Sequence, residues 1–93
     1  MLVEWRPTAR INLQQILSYN ADRNVRAASE LGMVIEVATS ALPQEPYLYR
    51  YGRVPETREI VVHPNYLVVY KVTDRIEVLA VLHARQAYPT DAG

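Results

Sequence analysis

The side chains here with the means to do chemistry are few: two histidines, His63 and His83, a late Arg85 and Tyr88, and the arginines Arg50, Arg53 and Arg58 interleaved with Tyr47, Tyr49 and Tyr51. A histidine can take and return a proton near neutral pH. Arginine offers a planar fork to phosphate or carboxylate, and tyrosine rings can stack on bases. The sequence lacks cysteine, which removes the thiolate nucleophile, the disulfide and the thiolate metal site together. His63 and His83 stand too far apart for a zinc motif, so no metal is expected. A glycine-rich phosphate loop, a serine-nucleophile signature and paired catalytic carboxylates are also missing from the sequence, and no cofactor is implied.

Each of these residues has a plainer role to weigh. His63, just before Pro64-Asn65, reads as a turn residue hydrogen-bonded to backbone. Arg58 has Glu56 or an acid on a neighbouring strand as a candidate partner. The tyrosine cluster reads as a loop anchored by buried rings with wet hydroxyls, and Arg50 and Arg53 beside it as a local positive patch. Arg85 and Tyr88 follow the last apolar run, at a strand end from which a side chain can reach a partner.

Charge narrows the partners. Lys+Arg and Asp+Glu number ten each, for a formal net charge of zero, and nine of the ten cations are arginine. A global basic field is therefore missing, and direct sequence-specific nucleic-acid binding by the chain alone is not expected. The start, MLVEWRPTAR, has no signal-peptide run, and no stretch of about 18 apolar residues occurs. The expectation is a cytoplasmic protein without a membrane segment.

The elements that must position these residues follow from periodicity. Leu2 to Trp5 reads as a short strand, and Pro7-Thr8 as the entry to a helix that Thr8 can cap. From Ala9 to about Ala21, the residues Ala9, Leu13, Ile16 and Leu17 form one buried stripe, with Ile11 opposite it. After Asp22-Arg23-Asn24, a second helix from about Val25 to Ala41 places Ala27, Ala28, Leu31, Val34, Ile35 and Ala38 inward, with Met33 and Val37 outward. Gly32 in this helix suggests close packing against the first. Pro43, Pro46, Gly52 and Pro55 mark an irregular segment. Strands are expected over Thr57 to Val62, Tyr66 to Val72 and Arg75 to about His83, joined by hairpin-sized connections. Residues 1–93 read as one α+β domain of order β-α-α-β-β-β, a helical hairpin packed on a small, mainly antiparallel sheet, with a flexible tail from about residue 86. Val68-Val69 and the run Val78-Leu79-Ala80-Val81-Leu82 are apolar on both faces, so the sheet centre should be partly covered on its second side as well.

That order resembles the RelE/ParE toxins. The segment from Thr57 to Val72 is similar to their central strand pair. The closing Val81-Leu82-His83-Ala84-Arg85-Gln86-Ala87-Tyr88-Pro89 resembles the ParE-type ending, as do the Pro46-Tyr47-Leu48-Tyr49 turn and the later Gly52-Arg53-Val54. The ParE-type resemblance implies a toxin of a type II toxin–antitoxin system, one that inhibits DNA gyrase by binding and is neutralised by a cognate, ParD-like antitoxin. On this reading the chain is not an enzyme. Its target would be met by the exposed sheet face and flanking residues Arg53, Arg58, Arg85 and Tyr88, and its antitoxin by Ile11, Met33 and Val37.

The RelE branch implies an alternative, a ribosome-dependent mRNA endonuclease using His63, His83, Arg85 and Tyr88. Such cleavage needs cations beside the developing negative charge. Glu59, Val61 and Leu67 occupy positions where that branch places cations. A third alternative is a degenerate, non-toxic interaction module. Asn20 stands where the helix tends to be apolar, Met33 is exposed, and Glu56 occupies a turn where glycine would be easier.

Overall fold

The computed structural model describes residues 1–89; residues 90–93, the end of the tail read from the sequence as flexible, lie outside the described residues. The chain runs β1 (Val3–Trp5), α1 (Pro7–Ala21), α2 (Val25–Ser40), a 3₁₀ turn (Leu42–Gln44), β2 (Arg50–Tyr51), β3 (Thr57–His63), β4 (Tyr66–Val72) and β5 (Ile76–His83). The sheet order is β1-β5-β4-β3-β2. β1 lies parallel to β5, and the other pairs are antiparallel. The expected α+β architecture stands, with β2 as an addition. β2 is a two-residue strand inside the segment read as irregular, and it is too short to show an alternating pattern.

α1 starts at Pro7, whose fixed φ suits the first helical position; Arg6 precedes it without a side-chain cap. Thr8 is therefore already helical and caps nothing. The α2 start is sharper, because the Asn24 side chain accepts from the Ala27 amide at 3.0 Å. The buried arc of α2 runs through Ala28, Leu31, Ile35 and Thr39, so Ala27 and Val34, expected inside, are exposed. Thr39 is buried in their stead because its hydroxyl donates to the Ile35 carbonyl at 2.9 Å, leaving only its methyl to be packed.

The helical hairpin covers one face of the sheet. Ala9, Leu31 and Ile35 meet Tyr66, Val68, Val78 and Val81 there, while Leu42 continues the layer over Ile60, Tyr70 and Ile76. Asn20 ties the end of α1 to this layer, donating to the Tyr66 hydroxyl at 3.1 Å. Period-two alternation breaks in β5: Val69 pairs with Ala80 but Tyr70 with Val78, so Leu79 is an extra residue in a bulge. The bulge resets which side chains point where. Val78 and Val81 face the helices, whereas Ala80 and Leu82 join Leu67 and Val69 on the opposite face.

Candidate functional site

The centre of that opposite face is covered, as the apolar runs of β4 and β5 suggest, and is not the exposed sheet face through which a target was expected to bind. Val69 is fully buried and Leu67, Ala80 and Leu82 are nearly so, with Tyr88 packed against them. The covering segment is the turn after β5. The Ala84 amide donates to the Asn65 carbonyl at 2.8 Å and the Gln86 amide to the His83 carbonyl at 2.9 Å, folding the chain back over the sheet. Residues 84–88 thus bring Arg85, exposed, and Tyr88, half-buried, to this side.

Beside the segment lies a buried acid. Glu59, 4% exposed, follows the period-two alternation onto the same face as Leu67 and Val69. Its carboxylate accepts from the Arg53 amide at 3.0 Å, from Arg53 Nε at 3.1 Å and from Arg50 Nη2 at 3.2 Å. Burial pushes the Glu59 carboxyl up. The Arg53 hydrogen bonds, the charge of that guanidinium and the Arg50 bond together outweigh it and hold the group below the usual glutamate value. The second arm of Arg53 donates to the Gln86 carbonyl at 3.2 Å. Arg50 and Arg53 therefore share one carboxylate, which leaves a single net positive charge between them in place of the two free cations the sequence suggests.

Arg58, one residue along β3, points to the other face. Its Nη1 donates to the carbonyls of Tyr47 and Tyr49 at 3.1 and 2.8 Å, and its guanidinium lies 5.2 and 4.3 Å from the Tyr47 and Tyr51 ring centroids. Neither Glu56 nor a neighbouring-strand acid pairs with it among the described residues. The structure therefore brings Arg53 together with Arg85 and Tyr88 and leaves Arg58 on the far side. Tyr47 and Tyr51 are exposed, so they hold the loop through Arg58 rather than by burying their rings. Only Tyr49 packs on the core.

The histidines flank one ring. Tyr66 lies between His63 and His83, with centroids 5.8 and 5.5 Å away. Each histidine uses Nδ1 as an acceptor, His63 from the Asn65 amide at 3.0 Å and His83 from the Arg85 amide at 3.2 Å. Both Nδ1 atoms are taken up in turns, with the Tyr66 ring against each imidazole. Among the described residues no group of three His, Asp or Glu is placed to hold a metal ion, and no helix is long and apolar enough to cross a membrane.

On the helical side, a groove of about 540 Å³ opens between α1, α2 and β1, lined by Trp5, Arg10, Leu13, Leu17, Gly32 and Met33 among others. It runs into a mostly apolar depression formed by Met33, Glu36, Val37, Ser40 and Ala41. Met33 and Val37 are 64% and 69% exposed and contiguous. Ile11 is exposed too, but it does not line this groove. Sequence reasoning missed Glu59 and Gln86. An acid alternating with apolar residues in a strand, with two arginines shortly before it, was the available signal for Glu59. Nothing local marks Gln86.

A helical hairpin on this five-stranded mixed sheet is the RelE/ParE toxin fold. A structure of the chromosomal ParDE toxin–antitoxin system from P. aeruginosa superimposes with a TM-score of 0.78 at 17% identity, covering 89% of this chain and 95% of that one. The isolated E. coli RelE toxin follows with a TM-score of 0.61 at 13% identity, covering 94% and 87%. Sequence is more specific than shape here. The chain belongs to the family described as ParE toxin of type II toxin-antitoxin system, parDE, whose model matches residues 3–88. It is also 32% identical over 88 residues to "Putative toxin Y4kP" of Sinorhizobium fredii, covering 94% of this chain and 92% of the relative.

Proposed function

We propose that this toxin inhibits DNA gyrase by binding it, without chemistry of its own, in the cytoplasm, and that a cognate ParD-like antitoxin neutralises it. The observation that carries this reading is how its cations are used. Phosphodiester cleavage needs positive charge aimed at a developing oxyanion. Arg50 and Arg53 are committed to Glu59, and Arg58 to two carbonyls and two rings. The Nδ1 atoms of both histidines accept backbone amides in turns. The target contact assigned on this reading is the 84–88 segment with Arg85 and Tyr88, supported by Arg53. Arg58 and its exposed tyrosines form a second patch, and tyrosine and arginine are common interface anchors. The antitoxin takes the Met33–Val37 side, where an apolar depression beside a groove suits a segment that folds on binding.

The test is supercoiling of relaxed plasmid by purified gyrase and ATP, with the toxin titrated in and cleaved DNA trapped by detergent. Inhibition with accumulating linear DNA is expected. No effect at a large molar excess of folded toxin would sink the gyrase reading. Cleavage of ribosome-bound mRNA, lost in Arg85→Ala, would replace it with the RelE-type alternative.

A further inference from the structure

The buried Glu59 carboxylate has no part in binding as described above, yet two arginines and a backbone amide converge on it. A carboxylate removed from water is costly unless it is paired and hydrogen-bonded. This one is satisfied on both oxygens, Oε1 by Arg50 and Oε2 by the Arg53 amide and Nε. An arginine held in two places has little freedom left. With Nε and its own amide on Oε2, the Arg53 guanidinium plane is fixed, and Nη1 is aimed outward at the Gln86 carbonyl. Gln86 is the hinge of the covering segment. Its amide donates to the His83 carbonyl, and its side-chain oxygen accepts from the His83 amide at 3.3 Å. Arg85 and Tyr88 stand on either side of that hinge.

We propose that Glu59 is a positioning residue: through Arg53 it latches the turn at Gln86 and so sets where Arg85 and Tyr88 are presented. The role of Arg85 and Tyr88 in target contact rests on the function proposed above, whereas the latch does not. The acid also reduces the free positive charge beside β3. One carboxylate engages both guanidinium groups, offsetting one of their two charges, and turns Arg53 into a structural clasp.

Two variants separate the latch from general stability. Glu59→Gln keeps the volume and removes the charge. Arg53→Ala leaves Arg50 on the carboxylate and cuts the arm to Gln86. Amide hydrogen exchange in the full chain is the first readout. For both variants, exchange at Ala84, Arg85 and Gln86 should rise by about tenfold or more, as expected for loss of a charge-assisted hydrogen bond. The Ile76 amide, which donates to Leu2 at the far end of β5, should stay at its wild-type rate. Growth inhibition on expression without antitoxin should fall alongside, with antitoxin affinity unchanged.

Wild-type exchange across 84–86 in Arg53→Ala would overturn the latch. So would a rise shared equally by Ile76, which would mark a plain loss of stability. Faster exchange confined to 84–86 with undiminished toxicity would uphold the latch and remove Arg85 and Tyr88 from the target contact.

Discussion

Gly32 of α2 faces Leu17 of α1 across the helical hairpin, and a Cβ built on the glycine would lie 3.5 and 3.6 Å from the two Leu17 methyls. Those are ordinary van der Waals distances, so the approach of the helices does not demand a glycine. Gly32→Ala should therefore stabilise the fold by up to about 1 kcal/mol, the difference between these residues in a helix interior. A urea titration reads this directly, and a lower midpoint would show that the hairpin is tighter than it looks.

Gly52 is the opposite case. A Cβ there would overlap Thr57 Oγ1 and lie 3.3 Å from the Thr57 carbonyl carbon. The Thr57 hydroxyl cannot swing away freely, since it donates to the Val54 carbonyl at 2.6 Å. Gly52→Ala should cost about 1–3 kcal/mol, typical of overpacking. The same titration serves, and an unchanged midpoint would mean that the turn yields.

Stability should also depend on pH through Glu59. Its carboxyl is held below the ordinary value of 4.5 in the folded chain. A depressed acid contributes stability that is complete above the unfolded value and fades as pH falls through the folded one. The difference in stability between wild type and Glu59→Gln should thus be constant near neutrality and shrink below about pH 4.5. Thermal midpoints at a series of pH values test this; a gap that widens on acidification would contradict the paired geometry.

Tyr70 is fully buried, and its hydroxyl donates to the Pro46 carbonyl at 2.6 Å. Burial raises its ionisation above the ordinary tyrosine value, with the Arg58 charge opposing. Tyr70→Phe strips a partner from that carbonyl and should cost about 1–3 kcal/mol. The loss is measurable by denaturant unfolding and should be accompanied by loosening of the 46–51 loop.

On the helical side, Met33→Asp and Val37→Asp place a charge on an already exposed surface, so folding and toxicity should persist. Neutralisation should fail, because a carboxylate would be buried unpaired under the antitoxin. Growth rescue by co-expressed antitoxin is the readout. Full rescue of both variants would move the antitoxin elsewhere, and Ile11→Asp would then be the variant to try.

Much of the architecture is legible because α1 and α2 carry helical periodicity, while β3 and β4 are runs of β-forming residues bounded by turn residues. The outward positions of Ile11, Met33 and Val37 followed from helical spacing alone. β2 was not legible, since two residues owe their strand to pairing with Arg58 and Glu59 and have no pattern of their own. The bulge at Leu79 also hid which half of a continuous apolar run faced the helices. Glu56 occupies a turn where glycine would be easier, and it adopts a φ of 67°. The site fared worse for a simple reason. Arg53 and Glu59 meet across a short local turn, but the link from Arg53 to the Gln86 carbonyl forms only after the chain has folded back, and it leaves no trace in spacing.

The parallel pairing of β1 with β5 bears on how the molecule comes into being. β5 supplies Val78 and Val81 to the main core, Ile76 to its extension and Ala80 and Leu82 to the second face. Among the described residues, each core cluster includes a side chain from β5. During synthesis the helical hairpin, complete at Ser40, is made first and waits, its stripes uncovered, for a strand that begins only at Ile76, and contacts so distant along the chain form late. A nascent chain that stops short of Leu82 lacks the strand on which every layer depends, so incomplete products should be degraded rather than persist as half-folded poison.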